Sequence, residues 1–582
     1  MNGLRILVAV KQVSRAESAD FDANGQMVRR PQEQELNPFC RRAVTFGVAL
    51  ARQHRGTCDV VSMGPPTARQ ILKESLAIGA DAAFHLTDPA FAGADTLATA
   101  EVLARFVKTR PSAYDLILTG RFAVDANTGI VGAQLAELLD IPYSGAAREL
   151  ALEDNIATLD AELDDGTRSA SVTLPAVIAV AERICAPAKP ADEEIEAIQA
   201  QRVSTLGRFE LGFVEAVPSV RTVVDGISHD ETHRLNIVID GRSELDKGLA
   251  MIRNRPLQPL DVVTQSELLG LDRVAYLCDP GQPKLNRHLI NYLGAGLDPI
   301  NGQLTVFSFH NALEGGEDFG GVDYLVEIDG APVEDDLVPA IANWLLAHPQ
   351  QLLVTPATSF GREVGGRLGA RLNAGVLTDL SRLSSDRSPL VSGAKSVGSI
   401  ASAANVSAVT SLGIALLRPD MPQHPPSLRL VTPTKSTLVA QRRGRVTLSA
   451  SQILDILDFA NAPIIFGVGA GVSAEDLPLI EELAASVQAQ LGCTRKIADR
   501  GIMPRSRQIG ITGRSVSPGL YIAIGTRGSH NHLAGVRGAL MTVNLTTTPP
   551  DVDPGVDLTV LGDWHLTLPP IVAALKADGH LS

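Results

Sequence analysis

Three glycines after one buried strand pattern form the first feature that could bind a ligand. In the last third of the chain, the apolar run APIIF leads directly into GVGAGVSAEDLPLIEELAASVQAQLG, with glycines at Gly467, Gly469 and Gly471. Glycine lets backbone amides approach a ligand closely, and the positive end of a following helix suits a pyrophosphate. Ser473 is expected to cap that helix, with Asp476 three residues later. A plain tight turn remains the alternative, because this glycine pattern is weak by itself.

A second group of polar residues lies in glycine-rich segments on both sides of the strand pattern LYIAIG. Arg495, Thr512 and His532 occupy these segments. The loop Gly510–Gly513 combines backbone donors with one hydroxyl, which suits the nitrogen and oxygen edge of a flat heteroaromatic ligand. The alternative is three unrelated surface loops, with Arg495 in a solvated salt bridge and His532 satisfied in the core.

Two further glycine-bearing helix starts follow strand patterns earlier in the chain. Strand LILTG precedes GAQLAELLDIP, in which Gly132 opens the helix. Strand LLVTP precedes GGRLGARLNAG, where Gly365 or Gly366 takes the same place. Open parallel sheets bind ligands just beyond the carboxyl ends of their strands. The similarity suggests two related blocks, as in a gene-duplicated or heterodimer-like pair.

The elements that must position these residues alternate between short β-branched runs and helical patterns. Near-continuous apolar strands separated by helices predict parallel sheets covered on both faces, which is an α/β fold. The predicted strands form three series: Arg5–Val10, Asp59–Met63, Asp115–Leu118 and Ala176–Ala181; then Leu235–Ile239, Val274–Leu277, Leu304–Phe309, Tyr324–Val326 and Leu352–Val354; then Ile464–Phe466, Tyr521–Ile524, Met541–Val543 and Leu558–Val560.

Two polar stretches that contain proline interrupt this alternation and predict the domain boundaries. Residues from about 186 to 234 hold no clear strand pattern. The segment PDMPQHPP, at Pro419–Pro426, cannot continue either a helix or a strand. We therefore expect three domains at residues 1–215, 233–430 and 435–582, with a linker at 216–232.

Composition narrows the class of protein. The 582 residues include 51 Lys and Arg against 65 Asp and Glu, a net charge of −14 that argues against general nucleic-acid binding. Five cysteines without a C-x-x-C pair argue against a disulfide framework and against structural zinc. The start MNGLRILVAVKQ lacks a signal-peptide pattern, and no apolar run approaches the ~20 residues that span a bilayer. We expect a soluble, cytoplasmic protein.

The order of the C-terminal motifs resembles the FAD-binding domain of the α subunit of electron transfer flavoproteins. The segments GCTRKIADRG, QIGITGR and LYIAIGTRGSHNHLAG are similar to that family's G-A-S-R-x-x-x-D-x-G, Q-x-G-x-T-G-K and L-Y-I-A-x-G-I-S-G-A-x-Q-H-L-A-G. The resemblance implies three Rossmann-like, adenine-nucleotide-hydrolase-like domains, with one FAD between the last domain and the rest. It implies FAD contacts at Arg418, Thr494, Arg495, Ile509, Gly510, Ile511, Thr512, Arg527, Gly528, Ser529, His530, Asn531, His532, Asn544, Asp563 and Trp564.

The resemblance also implies roles for three of these residues. Members of the family relay electrons one at a time, and their one-electron-reduced flavin is an anion. Arg495 is expected over the isoalloxazine, because a fixed guanidinium stabilises that charge at any physiological pH. The Thr512 hydroxyl is expected at flavin N5, and His532 near the pyrimidine oxygen. No nucleophile, base or metal is expected, so the protein is interpreted as an electron carrier and not as an enzyme.

The first block resembles the β subunit of the same family. LRILVAVKQV, LNPFCRRAVTFGVALA and LTGRFAVDANTGIVGAQLAELLDIP are similar to that subunit's opening strand, helix entry and nucleotide loop, so the chain looks like a β-like half fused to an α-like half. The implied contacts of a second nucleotide are Ala9, Asn37, Met63, Asp125, Asn127, Thr128, Gly129, Val131 and Gly132. The nucleotide stays open between AMP and a second FAD, since the loop is more similar to D-G-D-T-A-Q-V-G of bifurcating members than to the common D-D-D-x-N-Q-T-G. An empty structural loop is a further alternative.

The implied partners are a flavin-dependent donor dehydrogenase and a membrane quinone reductase or similar acceptor. Asp192 stands near the position at which the family's β subunit anchors acyl-CoA dehydrogenases with a leucine. A carboxylate is costly to bury in an apolar pocket, so a standard acyl-CoA dehydrogenase is not the expected donor. Two other functions remain open: an electron-bifurcating, two-FAD flavoprotein that uses NADH, and a degenerate nucleotide-binding module without a redox role.

Overall fold

The computed structural model describes residues 3–14, 20–21, 27–28, 34–229, 234–255, 268, 270–310, 312–313, 320–330, 332–387, 390–397, 402–422, 424–427, 429, 431–454, 456–510, 513–549 and 555–577. These residues form two compact units. The first unit takes the described residues within 1–228, 266–398 and 403–454, and the second takes those within 229–265, 399–402 and 455–582.

Strands and helices alternate along the described residues, as the sequence predicts. In chain order the strands are β1 Arg5–Ala9, β2 Gln12–Ser14, β3 Asp20–Phe21, β4 Met27–Val28, β5 Gln34–Leu36, β6 Thr57–Met63, β7 Ala82–Leu86, β8 Leu116–Gly120, β9 Tyr143–Glu153, β10 Ile156–Glu162, β11 Gly166–Thr173, β12 Ala176–Val180, β13 Val203–Leu206, β14 Thr222–His229, β15 Ile237–Asp240, β16 Arg273–Leu277, β17 Gln303–Phe309, β18 Tyr324–Ile328, β19 Leu352–Pro356, β20 Gly375–Leu380, β21 Arg382–Arg387, β22 Leu390–Val397, β23 Ser402–Ala408, β24 Gly413–Leu417, β25 Thr434–Leu438, β26 Val446–Ile453, β27 Ile464–Val468, β28 Gln490–Cys493, β29 Leu520–Ile524, β30 Met541–Thr546 and β31 Leu558–Leu561. The helices are α1 Pro38–Gln53, α2 Arg69–Ile78, α3 Thr96–Lys108, α4 Val131–Leu139, α5 Asp192–Ala197, α6 Leu245–Arg253, α7 Pro283–Leu297, α8 Glu334–Ala347, α9 Ser359–Leu372, α10 Leu457–Ala460, α11 Leu477–Ala485, α12 Arg495–Asp499, α13 His530–Leu533 and α14 Trp564–Ala577.

The first unit contains a ten-stranded sheet in the order β13-β7-β6-β1-β8-β12-β9-β10-β11-β26. The strands from β13 to β9 are parallel, which confirms the α/β prediction, and successive residues Leu7 and Val8 enter core clusters on opposite faces. The strands β9, β10, β11 and β26 form an antiparallel extension that the sequence analysis did not predict. Since β26 ends this sheet, the predicted start of the third domain at residue 435 is wrong.

A second sheet in the first unit has seven parallel strands in the order β20-β24-β19-β16-β17-β18-β25. The predicted second series of strands forms most of this sheet, with the exception of its first member. A smaller sheet, β14-β23-β22-β21, lies in the same part of the chain.

The second unit contains a six-stranded parallel sheet in the order β15-β31-β30-β29-β27-β28. Its edge strand β15 comes from the segment that was expected to open the second domain at residue 233, so that boundary is also wrong. Ile237 pairs with Leu558, far along the chain. Single-sequence patterns identify a strand but give no information on so distant a partner.

A buried arginine joins the two sheets of the first unit. Arg367 on α9 is fully buried, and its Nε lies 2.9 Å from Glu137 Oε2 on α4. Its Nη2 lies 2.8 Å from Asp335 Oδ1 on α8. A guanidinium can meet two carboxylates at once because its donors form a rigid fork. This ion network explains why the first two predicted domains form one compact unit.

The seven-stranded sheet has its own crevice, which the protein itself fills. The chain order reverses between β16 and β19, where Asp279 follows β16 and accepts a hydrogen bond from the Thr358 hydroxyl at 2.6 Å. Asp165, from the turn between β10 and β11, lies against this site, and Gln282 Nε2 donates to its carboxylate at 3.3 Å. All four side chains are at most 3 % exposed. Burial, together with the Asp165 charge, raises the pKa of Asp279 to about 7.

We expect Asp279→Asn to change the pH dependence of stability. The folded wild-type protein holds a proton on Asp279 up to about pH 7, whereas an unfolded aspartate loses it near pH 4. The wild type should therefore lose stability relative to the variant as pH rises from 5 to 7, and the difference should level off above that. Urea denaturation at several pH values measures this. Asp272→Asn, at the exposed opposite end of β16, is the control, and parallel profiles for wild type and Asp279→Asn would contradict the prediction.

Candidate functional site

The loops after the strands of the six-stranded sheet meet along one edge. β27 pairs with β28 on one side and with β29 on the other, so successive strands are placed on opposite sides of this strand. Doubly wound sheets bind ligands outside the carboxyl ends of the strands at such a point. The residues predicted in this unit lie between β28 and β29, after β29, near the end of β30 and after β31.

The backbone at the glycines after β27 packs directly against the loop after β29. Gly469 N donates to Ile524 O at 2.8 Å and Gly471 N donates to Gly525 O at 2.9 Å. A Cβ on Gly469 would lie 2.5 Å from Gly525 O, so a side chain is excluded there. The expectation that these amides bind a ligand at a helix start is wrong, because protein carbonyls take them and α11 begins only at Leu477.

The expected cap of α11 forms one turn before the helix begins. Ser473 Oγ donates to Asp476 Oδ2 at 2.7 Å, and Asp476 N donates to Ser473 Oγ at 3.3 Å. The pair therefore stabilises the loop that leads into α11.

Thr494 and Arg495 directly follow β28 at the carboxyl edge. The Thr494 hydroxyl is buried and has no hydrogen-bond partner among the described residues. Arg495 Nε lies 3.3 Å from Asp499 Oδ2 one helical turn later, and the arginine side chain is 32 % exposed. A buried hydroxyl without a partner is costly, so it marks a position where a ligand can complete the hydrogen bonding.

A tight turn lies beside the end of β28. Ile509 N donates to Cys493 O at 2.9 Å. Gly510 has φ +133°, and its N donates to Arg514 O at 3.1 Å, which closes the turn. The predicted contacts Ile511 and Thr512 lie in this turn by sequence but outside the described residues.

His532 is fully engaged inside the protein. Its Nε2 lies 2.6 Å from the Tyr521 hydroxyl and its Nδ1 lies 3.1 Å from Ile509 O, and the side chain is 5 % exposed. Both ring nitrogens thus have protein partners, as the alternative of a histidine satisfied in the core expects, and the predicted contact of His532 with the flavin pyrimidine oxygen stays a prediction. Burial lowers the pKa of His532 to about 4, which keeps the ring neutral.

The segment after β29 continues along the same edge. Gly528 has φ +67°, and Arg527 and Ser529 are exposed beside it. His530 and Asn531 open α13, but their side chains lie outside the described part of the structure.

The predicted adenosine contacts differ in exposure. Asn544 at the end of β30 is buried and accepts a hydrogen bond from Thr526 Oγ1 at 2.8 Å. Asp563 after β31 is exposed. Trp564 is buried in the apolar core of the unit and stacks on His565, with ring centroids 3.7 Å apart, and its predicted contact with the cofactor stays a prediction.

Arg418 is the one predicted FAD contact that belongs to the first unit. It follows β24, and its Nε and Nη2 lie 2.8 and 2.6 Å from the two oxygens of Asp420. Arg418 therefore lies in a different unit from the other predicted FAD contacts.

A second edge with predicted ligand residues belongs to the ten-stranded sheet. Its chain order reverses between β1 and β8. Asp125, after β8, is held by Lys11 Nζ at 2.8 Å. The Asn37 side chain donates to Phe122 O at 2.7 Å and so supports the loop, and its predicted contact with the nucleotide stays a prediction. Ala9 and Met63 end β1 and β6 and are partly exposed at this edge.

The loop from Asn127 to Gly132 has features that allow a ligand to approach its backbone closely. Asn127 has φ +48°, and its Oδ1 is buried with no hydrogen-bond partner in the described residues. Gly129 has φ +66°, and a Cβ there would lie 2.6 Å from the Phe122 ring. Thr128 and Val131 are partly exposed beside it, and α4 begins at Val131 without a side-chain cap. First-turn amides of such a helix are donors for a phosphate.

Sequence reasoning missed several residues that support these edges. Lys11 lies just past the carboxyl end of β1. A lysine at such a position can be recognised in the sequence as a candidate residue of the sheet edge. Thr526 bonds Asn544, and Tyr521 bonds His532. Tyr521 was interpreted only as part of a strand, although a phenol that is fully buried requires a partner.

Two kinds of feature are absent from the described residues. None of their helices combines the length and the apolar character needed to cross a membrane. Their His, Cys, Asp and Glu side chains form no group of three or more that could hold a metal ion.

Two family profiles match the chain in its two halves. The electron transfer flavoprotein domain matches residues 25–206, and the electron transfer flavoprotein FAD-binding domain matches residues 458–537. A subunit beta from Thermoanaerobacterium thermosaccharolyticum is 35% identical over 188 residues, which cover 32% of this chain and 72% of the relative. The chain belongs to the electron transfer flavoprotein family. The predicted order, a β-like half followed by an α-like half in one chain, is thereby confirmed.

Two further relatives are similar to this chain over different lengths. Protein FixB from Rhizobium meliloti is 30% identical over 305 residues, which cover 49% of this chain and 80% of that protein. The caffeyl-CoA reductase-Etf complex subunit CarD from Acetobacterium woodii is 37% identical over 177 residues, covering 30% of this chain and 67% of the subunit. The FAD-binding match lies over β27 to α13, the part of the sheet edge that carries Thr494 and Arg495.

The residues present fit an FAD. The Thr494 hydroxyl has no partner among the described residues, the guanidinium of the following residue, Arg495, is partly exposed, and the backbone turns at Gly510 and Gly528 leave no Cβ at the edge. Together they offer a hydroxyl, a cation and backbone donors on one side of a parallel sheet.

We expect Thr494→Val to weaken FAD binding without destabilising the apoprotein. The variant removes a buried hydroxyl that has no partner in the described protein, so the empty fold should be as stable or slightly more so. The lost hydrogen bond should raise the FAD dissociation constant about 5- to 50-fold. FAD titration and thermal unfolding of the apoprotein measure the two effects. Thr355→Val, another buried hydroxyl without a partner in the described residues but in the first unit, is the control; equal FAD affinity in wild type and Thr494→Val would contradict the prediction.

Proposed function

We propose that this protein is an FAD-bound electron carrier that accepts electrons from a flavin-dependent dehydrogenase and passes them to a quinone reductase or similar acceptor. The observation that carries the proposal is the buried Thr494 hydroxyl, which has no partner in the described part of the chain and stands immediately before Arg495 at the carboxyl edge of the sheet in the FAD-binding domain. Bound FAD supplies reversible uptake of one or two electrons. Thr494, Arg495, Gly510, Arg527, Gly528 and Ser529 hold it, with Ile509, Ile511, Thr512, His530 and Asn531 from the adjoining turns.

Arg495 acts electrostatically in this proposal. Its guanidinium keeps its charge at all physiological pH values, so it stabilises negative charge on a bound ligand without exchanging a proton. Asp499, 3.3 Å from Nε, orients the guanidinium from the next helical turn. Asn544 and Asp563 contact the adenosine end in this proposal.

The partner surface of the β-like half favours a donor other than a standard acyl-CoA dehydrogenase. Asp192 begins α5 and is exposed. A charged side chain here cannot fill an apolar pocket of a partner without a large desolvation cost. The similarity to a subunit of a caffeyl-CoA reductase–Etf complex supports assembly with another oxidoreductase.

Arg495→Ala should lower the midpoint potential of bound FAD for its first electron by some tens of millivolts, on a scale where about 59 mV is a tenfold change in the equilibrium. The cause is the loss of a fixed cation beside the ring. Arg495→Lys should give an intermediate value, since the ammonium keeps the charge but not the planar geometry. Spectroelectrochemical titration of the FAD-loaded protein measures the potential. Arg500→Ala, an exposed arginine in the same segment, is the control, and identical potentials in Arg495→Ala and wild type would remove Arg495 from this role.

We also propose that the loop of the first unit binds a second adenine nucleotide, AMP or a second FAD. Support comes from Asn127 Oδ1, which is buried without a partner among the residues that the structure describes, and from the start of α4, which has no side-chain cap. Thr128, Gly129, Val131 and Gly132 supply backbone donors, with Ala9, Met63 and Asp125 at the sheet edge. The small and apolar Gly129–Val131 segment favours the second FAD and hence an electron-bifurcating function that uses NADH. A flavin-to-protein ratio near two supports that function, a ratio near one favours AMP, and a colourless protein that takes up no FAD would favour the degenerate module.

Asn127→Gly should reduce the amount of nucleotide that remains bound to the first unit after purification. Glycine keeps the left-handed backbone at this position without strain, so only the amide side chain is lost. Chromatography of nucleotides released from the denatured protein measures the content. Asn301→Gly, which makes the same change at an exposed residue with φ +53°, is the control. If nucleotide content is the same in both variants, Asn127 is not a ligand.

A further inference from the structure

A chain of three buried groups connects the strand β29 with the turn at Ile509. The Tyr521 hydroxyl lies 2.6 Å from His532 Nε2, and His532 Nδ1 lies 3.1 Å from Ile509 O. Tyr521 is fully buried, and His532 and Ile509 are 5 % and 1 % exposed. The three groups belong to a strand, a helix and a turn, and all lie in the second unit.

The direction of the hydrogen bonds along this chain follows from the chemistry of the groups. A backbone carbonyl can only accept, so His532 Nδ1 carries the proton that bonds Ile509 O. Nε2 of the neutral ring then accepts, and the Tyr521 hydroxyl donates to it. Burial lowers the pKa of His532 to about 4 and raises the pKa of Tyr521 well above its usual value, so neither group ionises near neutral pH. The phenol therefore selects one tautomer of the imidazole.

The position of the phenol is built into the neighbouring strand. A Cβ on Gly467 of β27 would lie 1.7 Å from the Tyr521 hydroxyl oxygen. Any side chain at this position would displace the phenol from His532. The first glycine of the GVGAG segment, whose amide has no role in the proposed cofactor site, thus provides the space for Tyr521.

The chain ends at the backbone that adjoins the proposed FAD residues. Ile509 accepts from His532 through its carbonyl and donates its amide to Cys493 O, directly before Thr494. The next residue, Gly510, opens the turn that closes on Arg514. A shift of Ile509 would therefore move both the turn and the end of β28.

We propose that Tyr521 is a positioning residue for the bound flavin: its hydroxyl fixes the tautomer of His532, and His532 in turn fixes the turn at Ile509 against which the cofactor binds. The inference rests on the proposed function, since it concerns the same FAD site. Tyr521 itself does not contact the cofactor in this proposal, and it acts through His532 and the Ile509 carbonyl.

Tyr521→Phe tests the proposal because it removes only the hydroxyl. In the apoprotein, ¹⁵N NMR of the His532 ring should show the Nδ1–H tautomer in wild type and a mixture of tautomers in the variant. The variant should bind FAD about 5- to 50-fold more weakly, the range expected when a buried acceptor loses its donor, and the midpoint potential should shift. Tyr276→Phe is the matched control, because that phenol is also fully buried and lies 3.0 Å from Asn286 Oδ1 in the first unit; it should affect stability but neither FAD affinity nor potential.

A double-mutant cycle with His532→Gln separates positioning from general destabilisation. If the two residues act as one chain, the losses of FAD affinity in Tyr521→Phe and His532→Gln are not additive. Additive losses, or an unchanged His532 tautomer in Tyr521→Phe, would overturn the proposal. An unchanged FAD affinity and potential in Tyr521→Phe, with FAD bound normally to wild type, would also overturn it and leave the carrier function intact. Failure of the wild type to bind FAD would instead overturn the proposed function, and this inference with it.

Discussion

Parallel pairing of β27 with a strand on each side is the constraint on which the site of the second unit depends. The carboxyl ends of parallel strands all lie along the same edge of the sheet. Segments that are far apart in the sequence therefore meet at that edge. The loops after β27 and β29 approach most closely at Gly469, where a Cβ would lie 2.5 Å from Gly525 O. The same pairing brings Thr494, after β28, to the edge that also carries the turn after β29.

The three parallel sheets use this kind of edge in different ways. In the seven-stranded sheet, Asp279, Thr358 and an inserted aspartate from the β10–β11 turn fill the crevice with protein groups. At the carboxyl edges of the ten-stranded and six-stranded sheets, Asn127 Oδ1 and the Thr494 hydroxyl are buried without a partner in the described residues. Other buried polar atoms of the described residues, among them Thr355 Oγ1 of the seven-stranded sheet, share this feature. Since folded proteins rarely leave such atoms unsatisfied, the two edge atoms are candidates for ligand contacts.

Buried polar groups also distinguish supporting residues from ligand residues. Asn37 and His532 were both expected to contact a nucleotide, and both also bond within the protein: the Asn37 amide donates to Phe122 O, and the His532 ring bonds Ile509 O and the Tyr521 hydroxyl. The residue type at such a position therefore indicates that the loop belongs to a site. It does not show whether the side chain contacts a ligand or supports the loop. The distinction requires knowledge of the partners of each nitrogen and oxygen.

The sequence by itself determined the α/β class and most parallel strands, because apolar periodicity and glycine-rich turns are local features. The order of the two halves followed from the resemblance of its motifs to the electron transfer flavoprotein family. It also located Thr494, Arg495 and the Asn127 loop at strand ends. Only the tertiary structure decided that β15 joins the last sheet, that the antiparallel strands extend the first one, and that Tyr521 pairs with His532. These depend on contacts between residues far apart in the chain, and no local pattern records which distant strand or side chain will supply the missing hydrogen bonds.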